Sequence, residues 1–352
     1  MALLASGSWL LTSCSKPRAA QPSTESSTAS AELLPASSTT SRLETAQASP
    51  AHVTQVTMHN VILIERPGFQ LRVRWLRGQM HPTRRDVVPS FDQPASFVLN
   101  IQDGVVATKL AEISDTLNGG MLRGTPLSKV SLTAQGQQLK LAGTLHKGIP
   151  LPVEMISDLS AAPDGRIKLH VVKTRVLKLP VTGLLQSFHV KVGDLVGAKG
   201  APGVQVIDDD LYIDPERMLP APAIRGKLSD VHIGHKSGDL ITVYGNARNE
   251  VAQVRQWRNF IRMLGGVVNF GKLTMTHTDL FLIDASDDEW FTFDLANYQE
   301  QLVNGNLQMT PEAGLRVFMP DIDKLPRTTA NNRINLQWMK NRNLPPPADV
   351  VH

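Results

Sequence analysis

The chain has 352 residues, 41% hydrophobic and 19% charged, which is enough to bury a sizeable core in one large domain or two ordinary ones. A formal charge of only +4, spread along the chain, argues against a nucleic-acid partner, and no run of residues reaches the ~18 apolar positions of a transmembrane helix. Cys14 is the single cysteine, which excludes an internal disulfide and a cysteine-rich metal site.

Residues 1–13 are short, apolar and too few to span a bilayer, the shape of a signal-peptide core, although no Lys or Arg precedes them. Leu11-Thr12-Ser13-Cys14 resembles the bacterial lipobox. That resemblance implies removal of residues 1–13 and acylation of Cys14, which would hold the chain on a membrane durably. Ser15, a non-Asp residue after the cysteine, implies delivery to the outer membrane under the enterobacterial sorting rule, facing the periplasm. Residues 15–52 are rich in Ser, Thr, Ala and Pro and offer little to bury, so the composition predicts a flexible tether.

From Val53 onward the pattern is mostly strands. Val53, Val56, Met58, Val61 and Leu63 are separated by polar residues, Phe69–Trp75 alternates cleanly, and Phe97–Gln102 is a third candidate. A helix is expected over about 105–122, where Val106, Leu110, Ile113, Leu117 and Met121 share a stripe that ends at Gly119, Gly120 and Gly124. Strands are expected at 129–134, 138–146, 151–159 and 166–172, with Ala162-Pro163-Asp164-Gly165 as a hairpin turn. A second amphipathic helix should open at Leu179-Pro180 and carry Leu184, Leu185, Phe188, Val192, Leu195 and Val196. Strands follow at 205–213, 224–233 and 239–244, and a third helix at about 249–264. Further strands are expected at 272–283, 290–295, 302–309 and 315–319, before a loose tail over 326–352.

Catalytic signals are sparse. His232-Ile233-Gly234-His235 spells the class I aminoacyl-tRNA synthetase signature, but it lies on an alternating strand without the nucleotide fold's context, and reads as exposed strand-end histidines. Asp208-Asp209-Asp210 with Asp214 lacks the Gly and terminal Glu of a calcium loop and reads as a solvated turn. There is no Gly-x-Ser-x-Gly elbow, no phosphate-cradling Gly-x-x-x-x-Gly-Lys-Ser/Thr and no His-Glu-x-x-His. No cofactor and no metal site is expected.

The block from about 107 to 245 is similar to the LmeA-like phospholipid-binding proteins of the tubular lipid-binding (TULIP) group. The likeness is carried by a helix over 108–122, the run Pro163-Asp164-Gly165-Arg166-Ile167-Lys168-Leu169, then Leu177-Lys178-Leu179-Pro180 before Leu184-Leu185, Gly203-Val204-Gln205-Val206, and the closing strand 239–245. It implies an α+β, mostly antiparallel fold in which a curved sheet wraps amphipathic helices, and a role in holding acyl chains. Leu110, Ile113, Leu117, Leu184, Leu185 and Phe188 are then the expected lining of a hydrophobic groove. Read from the residues alone, such a wrap is either filled by side chains as an ordinary core, the reading they favour, or leaves an apolar groove.

In the third helix, Val251, Val254, Trp257, Ile261 and Leu264 form a stripe flanked by Arg248, Arg255, Arg258 and Arg262, which suits either packing on the domain or a membrane surface. The expected organisation is a signal peptide (1–13), a lipidated Cys14 with tether (14–52), a β-rich domain with two helices (53–245), a helix plus β-rich part (246–325) and the tail. The expected role is an envelope lipoprotein that binds or transfers a lipid or other hydrophobic molecule, with membrane lipid as partner through Cys14. The alternatives are an assembly lipoprotein with a protein-binding surface and, third, an envelope hydrolase.

Overall fold

The structure, a computed structural model, describes residues 53–176, 191–196, 203–218, 221–246, 257–286 and 288–325. Among them strands dominate, most pairs are antiparallel, and the helices are few and short.

Three long strands come first: β1 (Thr54–Arg66), β2 (Phe69–Pro82) and β3 (Phe97–Thr108). Pro67-Gly68 joins β1 to β2, with Gly68 at φ 80°, the left-handed conformation that the third position of a type II turn requires. Helix α1 (Leu110–Thr116) follows and runs into a wider turn over Leu117–Met121, opened by Gly119 and Gly120. A meander of β4 (Leu127–Gln135), β5 (Gln138–Lys147), β6 (Ile149–Ala161) and β7 (Ile167–Val176) comes next. After α2 (Val192–Val196), the hairpin of β8 (Val204–Ile207) and β9 (Asp210–Ile213) adds to β7. These strands make an antiparallel sheet of order β4-β5-β6-β7-β9-β8.

A short helix, α3 (Pro215–Met218), leads back to the first sheet through β10 (Ala223–Gly226), β11 (Leu228–Ile233) and β12 (Leu240–Tyr244). The remaining elements are β13 (Phe260–Leu264), β14 (Val267–Phe270), β15 (Leu273–Thr276), β16 (Asp279–Asp284), β17 (Phe291–Asp294), α4 (Tyr298–Val303), β18 (Asn306–Met309) and β19 (Leu315–Met319). The long sheet has the order β11-β12-β3-β2-β1-β13-β16-β19-β18, with β10 parallel to β3 and β17 parallel to β1. Because β13 and β17 both pair with β1, the division expected after residue 245 is not a break in this sheet.

Three expectations are corrected. Residues 105–108 finish β3 and are not helical. Residues 260–264 form the interior strand β13, not the end of a helix. Leu302 and Val303 close α4, so that strand starts only at Asn306. The second helix between 177 and 190, the third between 247 and 256, and the segments 1–52 and 326–352 lie outside the described residues.

Irregularities cross the three central strands side by side. Asn60 of β1 has φ 50° and stands beside Arg74, since His59 pairs with Trp75 and Val61 with Val73. Against β3, Arg74 and Gln102 are each an extra residue in the register. Each bulge reverses the inward parity of its strand and bends it. Inward residues therefore run Met58 then Leu63 on β1, Val73 then Leu76 on β2, and Ile101 then Val106 on β3. The C-terminal part is closed by an aromatic cluster in which Tyr298 lies 5.0 Å from Phe270 and 5.7 Å from Phe91, centroid to centroid. Buried Gln301 fixes α4 there, donating to the Thr292 and Pro320 carbonyls and accepting from the Asp294 amide.

Candidate binding cavity

The inner faces of the two sheets do not close on each other at the β1–β3 end. Between them lies a cavity that offers about 190 Å³ to the centres of water-sized molecules. One wall is Leu63, Phe69, Leu71, Val73, Leu76, Leu99, Ile101 and Val106 of the long sheet. The facing wall is Leu132, Leu139, Leu141, Leu159, Ile167, Leu169 and Ile213 of the second sheet. Helix α1 and its following turn add Leu110, Ile113, Thr116, Leu117 and Met121, and α3 adds Met218.

Helix α1 is held in that position by polar bonds to both sheets. The Glu112 carboxylate accepts from the Gln70 amide (3.2 Å) and from Gln70 Nε2 (2.8 Å), with the Arg72 guanidinium 3.9 Å away. On the other side Ser114 Oγ accepts from the Leu132 amide (2.8 Å), and Asn118 exchanges two hydrogen bonds with the Val130 backbone (2.7 and 2.8 Å). The apolar stripe of α1 faces the cavity because its polar residues are spent on β2 and β4.

Among the lining side chains only Thr108, Thr116, Thr242 and Tyr244 carry an oxygen. Thr242 Oγ1 donates to the Val106 carbonyl (3.1 Å), and Thr116 Oγ1 accepts from Arg66 Nη2 (3.2 Å). Burial pushes the Tyr244 hydroxyl up to about 12; a hydrogen bond with Thr242 opposes this and the nearby Glu65 charge adds to it. A water in such a space needs two to four polar partners, and one water takes up only ~10–15 Å³ of this measure, so the wall suits an apolar guest and not a water cluster.

Glu65 is the exception in this region. It lies near the end of β1, where the register with β2 shifts between Ile64 and Arg66, is 6% exposed, and neither carboxyl oxygen has a hydrogen-bond partner among the described residues. Burial raises its pKa to about 8, with the adjacent Arg66 charge pulling the other way.

Of the residues expected to line a groove, Leu110, Ile113 and Leu117 stand in the cavity wall. Leu184, Leu185 and Phe188 lie outside the described residues, as do Cys14 and Arg255. Ile167 and Leu169, from the run Pro163–Leu169, also line the cavity. The reading of Trp257, Arg258 and Arg262 as a surface helix is corrected. Trp257 is 4% exposed and packs edge-on against Phe318, with centroids 5.3 Å apart. Arg258 Nη2 donates to the Asp288 carbonyl (2.9 Å), and Arg262 lies over the Phe281 ring (4.9 Å) and near Asp279 (3.6 Å). Trp257 and Arg258 precede β13, and the strand alternation of β13 sets the direction of Arg262.

His232 is exposed on β11, with Nδ1 2.7 Å from Asp230 Oδ2, and His235 lies in the following turn near Gln137 (3.1 Å). Asp210 pairs with Lys168 (2.6 Å) and His170 (2.7 Å), and Asp208 occupies the turn between β8 and β9 at φ 53°. Among the described residues no cluster of three or more His, Cys, Asp or Glu is placed to hold a metal ion, and no helix is long and apolar enough to cross a membrane. Comparison with family models, with characterised proteins and with solved structures gave no match to this chain.

Proposed function

We propose that this protein binds a lipid or other hydrophobic molecule in the cavity between its two sheets, and does so in the bacterial cell envelope. The observation that carries the reading is the cavity wall, apolar but for three threonines and a tyrosine around about 190 Å³. Each methylene moved from water into such a space is worth ~0.8 kcal/mol, so an acyl chain gains more from it than any polar guest. Helix α1 lies against both sheets and the central strands bend at their bulges, which favours a TULIP-like arrangement of curved sheet around helix. Acylated Cys14 would then keep the domain at a membrane, facing the periplasm and most simply at the outer membrane.

The test is lipid extraction and native mass spectrometry of protein purified from its own membranes. A co-purifying acyl lipid is the expected result. A preparation that carries none and also ignores added phospholipid vesicles overturns the reading.

One observation favours a second reading, an assembly lipoprotein that docks another envelope protein. β18 is the last strand of the long sheet, and on or just before it Val303, Leu307 and Met309 are exposed.

A further inference from the structure

The size of the cavity limits how much of a guest it can hold. About 190 Å³ for the centres of water-sized molecules corresponds to roughly 13–19 waters, at ~10–15 Å³ each. A methylene group is about as large as a water molecule, so one chain of roughly 13–19 carbons fills this space. A second chain of that length has no room. The wall also decides what stays outside. Among the described residues none of its lining side chains is charged. Thr242 Oγ1 is already engaged with the Val106 carbonyl, and Thr116 Oγ1 with Arg66. A charged or zwitterionic headgroup would lose its water there and meet no group of opposite charge in the wall. The lining is not buried evenly. Leu76 and Ile101 of the long sheet are buried, whereas Leu117 and Met121 after α1 and Met218 of α3 are only half-buried. That side, with two unbranched and adaptable methionines, is where a chain enters and where a headgroup remains.

We infer that the cavity takes one acyl chain and leaves its headgroup in water, so that the ligand is a single-chain amphiphile, a fatty acid or a lysophospholipid, and not a diacyl phospholipid. This rests on the binding reading proposed above and specifies its ligand. Chain length is then the property the protein selects. Each methylene adds to the affinity while it enters the cavity and adds almost nothing once the cavity is full. The headgroup is not selected, because no lining group reaches out of the apolar wall to meet it. A diacyl lipid is disfavoured because its second chain would be left in water after leaving the bilayer.

The experiment uses the saturated fatty acids from octanoate to docosanoate and lysophosphatidylcholines of the same chain lengths. Each probe, kept below its micelle concentration, displaces a fluorescent apolar dye from the full chain. Affinity should rise about fourfold with each added methylene and level off between about 13 and 19 carbons. At one chain length the fatty acid and the lysophosphatidylcholine should bind within about threefold of each other. Native mass spectrometry should show one chain per protein, and dipalmitoylphosphatidylcholine should stay in its vesicles. Leu169 is buried in the wall, so L169F should move the break to shorter chains and L169A to longer ones. The break in the unaltered chain is read without either variant, and a variant that merely failed to fold would not move it to longer chains. A break outside that range, a break that neither variant moves, two chains per protein, a headgroup preference of about tenfold or more, or dipalmitoylphosphatidylcholine held in solution as tightly as its lyso form overturns the inference and leaves the binding reading standing. If no chain of any length binds, the binding reading falls with it.

Discussion

Between pH 4.5 and about 8 the folded chain keeps a proton on Glu65 that the unfolded chain has already released. Stability therefore falls as pH rises through that window and is untouched by this group below it. The loss is roughly 5 kcal/mol once pH passes the folded value. Asp321, fully buried and raised by burial from 3.8 to about 6, adds a loss of the same sign at lower pH. E65Q should remove the upper step and leave the lower one. Urea melts at pH 5 and pH 8 should then show the variant nearly level with the parent at pH 5 and several kcal/mol more stable at pH 8. Equal stabilities at pH 8 would mean that the carboxyl is solvated. Trp257 makes a second test at this scale. Its edge-on packing against Phe318 predicts that W257A costs about 3–5 kcal/mol in the same assay, whereas a surface tryptophan would cost little.

At the level of elements, the cavity depends on where strands change parity and where α1 begins. Gly104 of β3 sits at the irregularity, where an added Cβ would lie 2.9 Å from the Trp75 carbonyl oxygen and 3.1 Å from Leu76 Cα. G104V should push β2 and β3 apart and lower the melting temperature by several degrees, read by thermal circular dichroism. Helix α1 allows the opposite kind of test. Ile113 is half-buried and lines the cavity, so I113W should fill space and not force a packed core apart. Apolar dye binding should fall at least about tenfold with little change in melting temperature; a filled core would instead lose about 1–3 kcal/mol to overpacking. Much of this was legible from residues. The alternation of Phe69–Trp75, the turn at Pro163–Gly165 and the stripe through Leu110, Ile113 and Leu117 all mark elements the structure contains. The two stretches wrongly read as helix share one physical reason. A step of four fits the period of two of a strand as well as the 3.6 of a helix, so Val106 before Leu110, and Trp257 before Ile261, looked helical. The bulges at Arg74 and Gln102 left no such mark, because a bulge is a property of two paired strands and a single sequence carries only one of them. The facing wall, from Leu132 to Ile213, was hidden for the same reason: its lining is defined by which sheet it meets.

For the whole molecule, the cavity is assembled from residues between Met58 and Tyr244, which belong to both sheets and to α1. None of that lining lies near Cys14 in sequence, so the proposed anchor and the proposed binding site can be tested separately by experiment. A spacer with the composition of residues 15–52 spans roughly 35 Å on average, enough to let a tethered domain meet the bilayer surface in many orientations. The lipid on Cys14 would then set where the protein samples its ligand, and the cavity would set what it takes. C14S should shift the protein from the membrane fraction to the soluble one after carbonate washing and abolish metabolic labelling by palmitate, while apolar dye binding by the purified variant stays as in the parent. Retention of C14S in the membrane would show that another segment holds the chain there and would remove the lipoprotein reading, leaving the cavity to be judged by its ligands. Loss of dye binding together with release would mean that the cavity is loaded only at the membrane, and that the anchor serves binding itself as well as location.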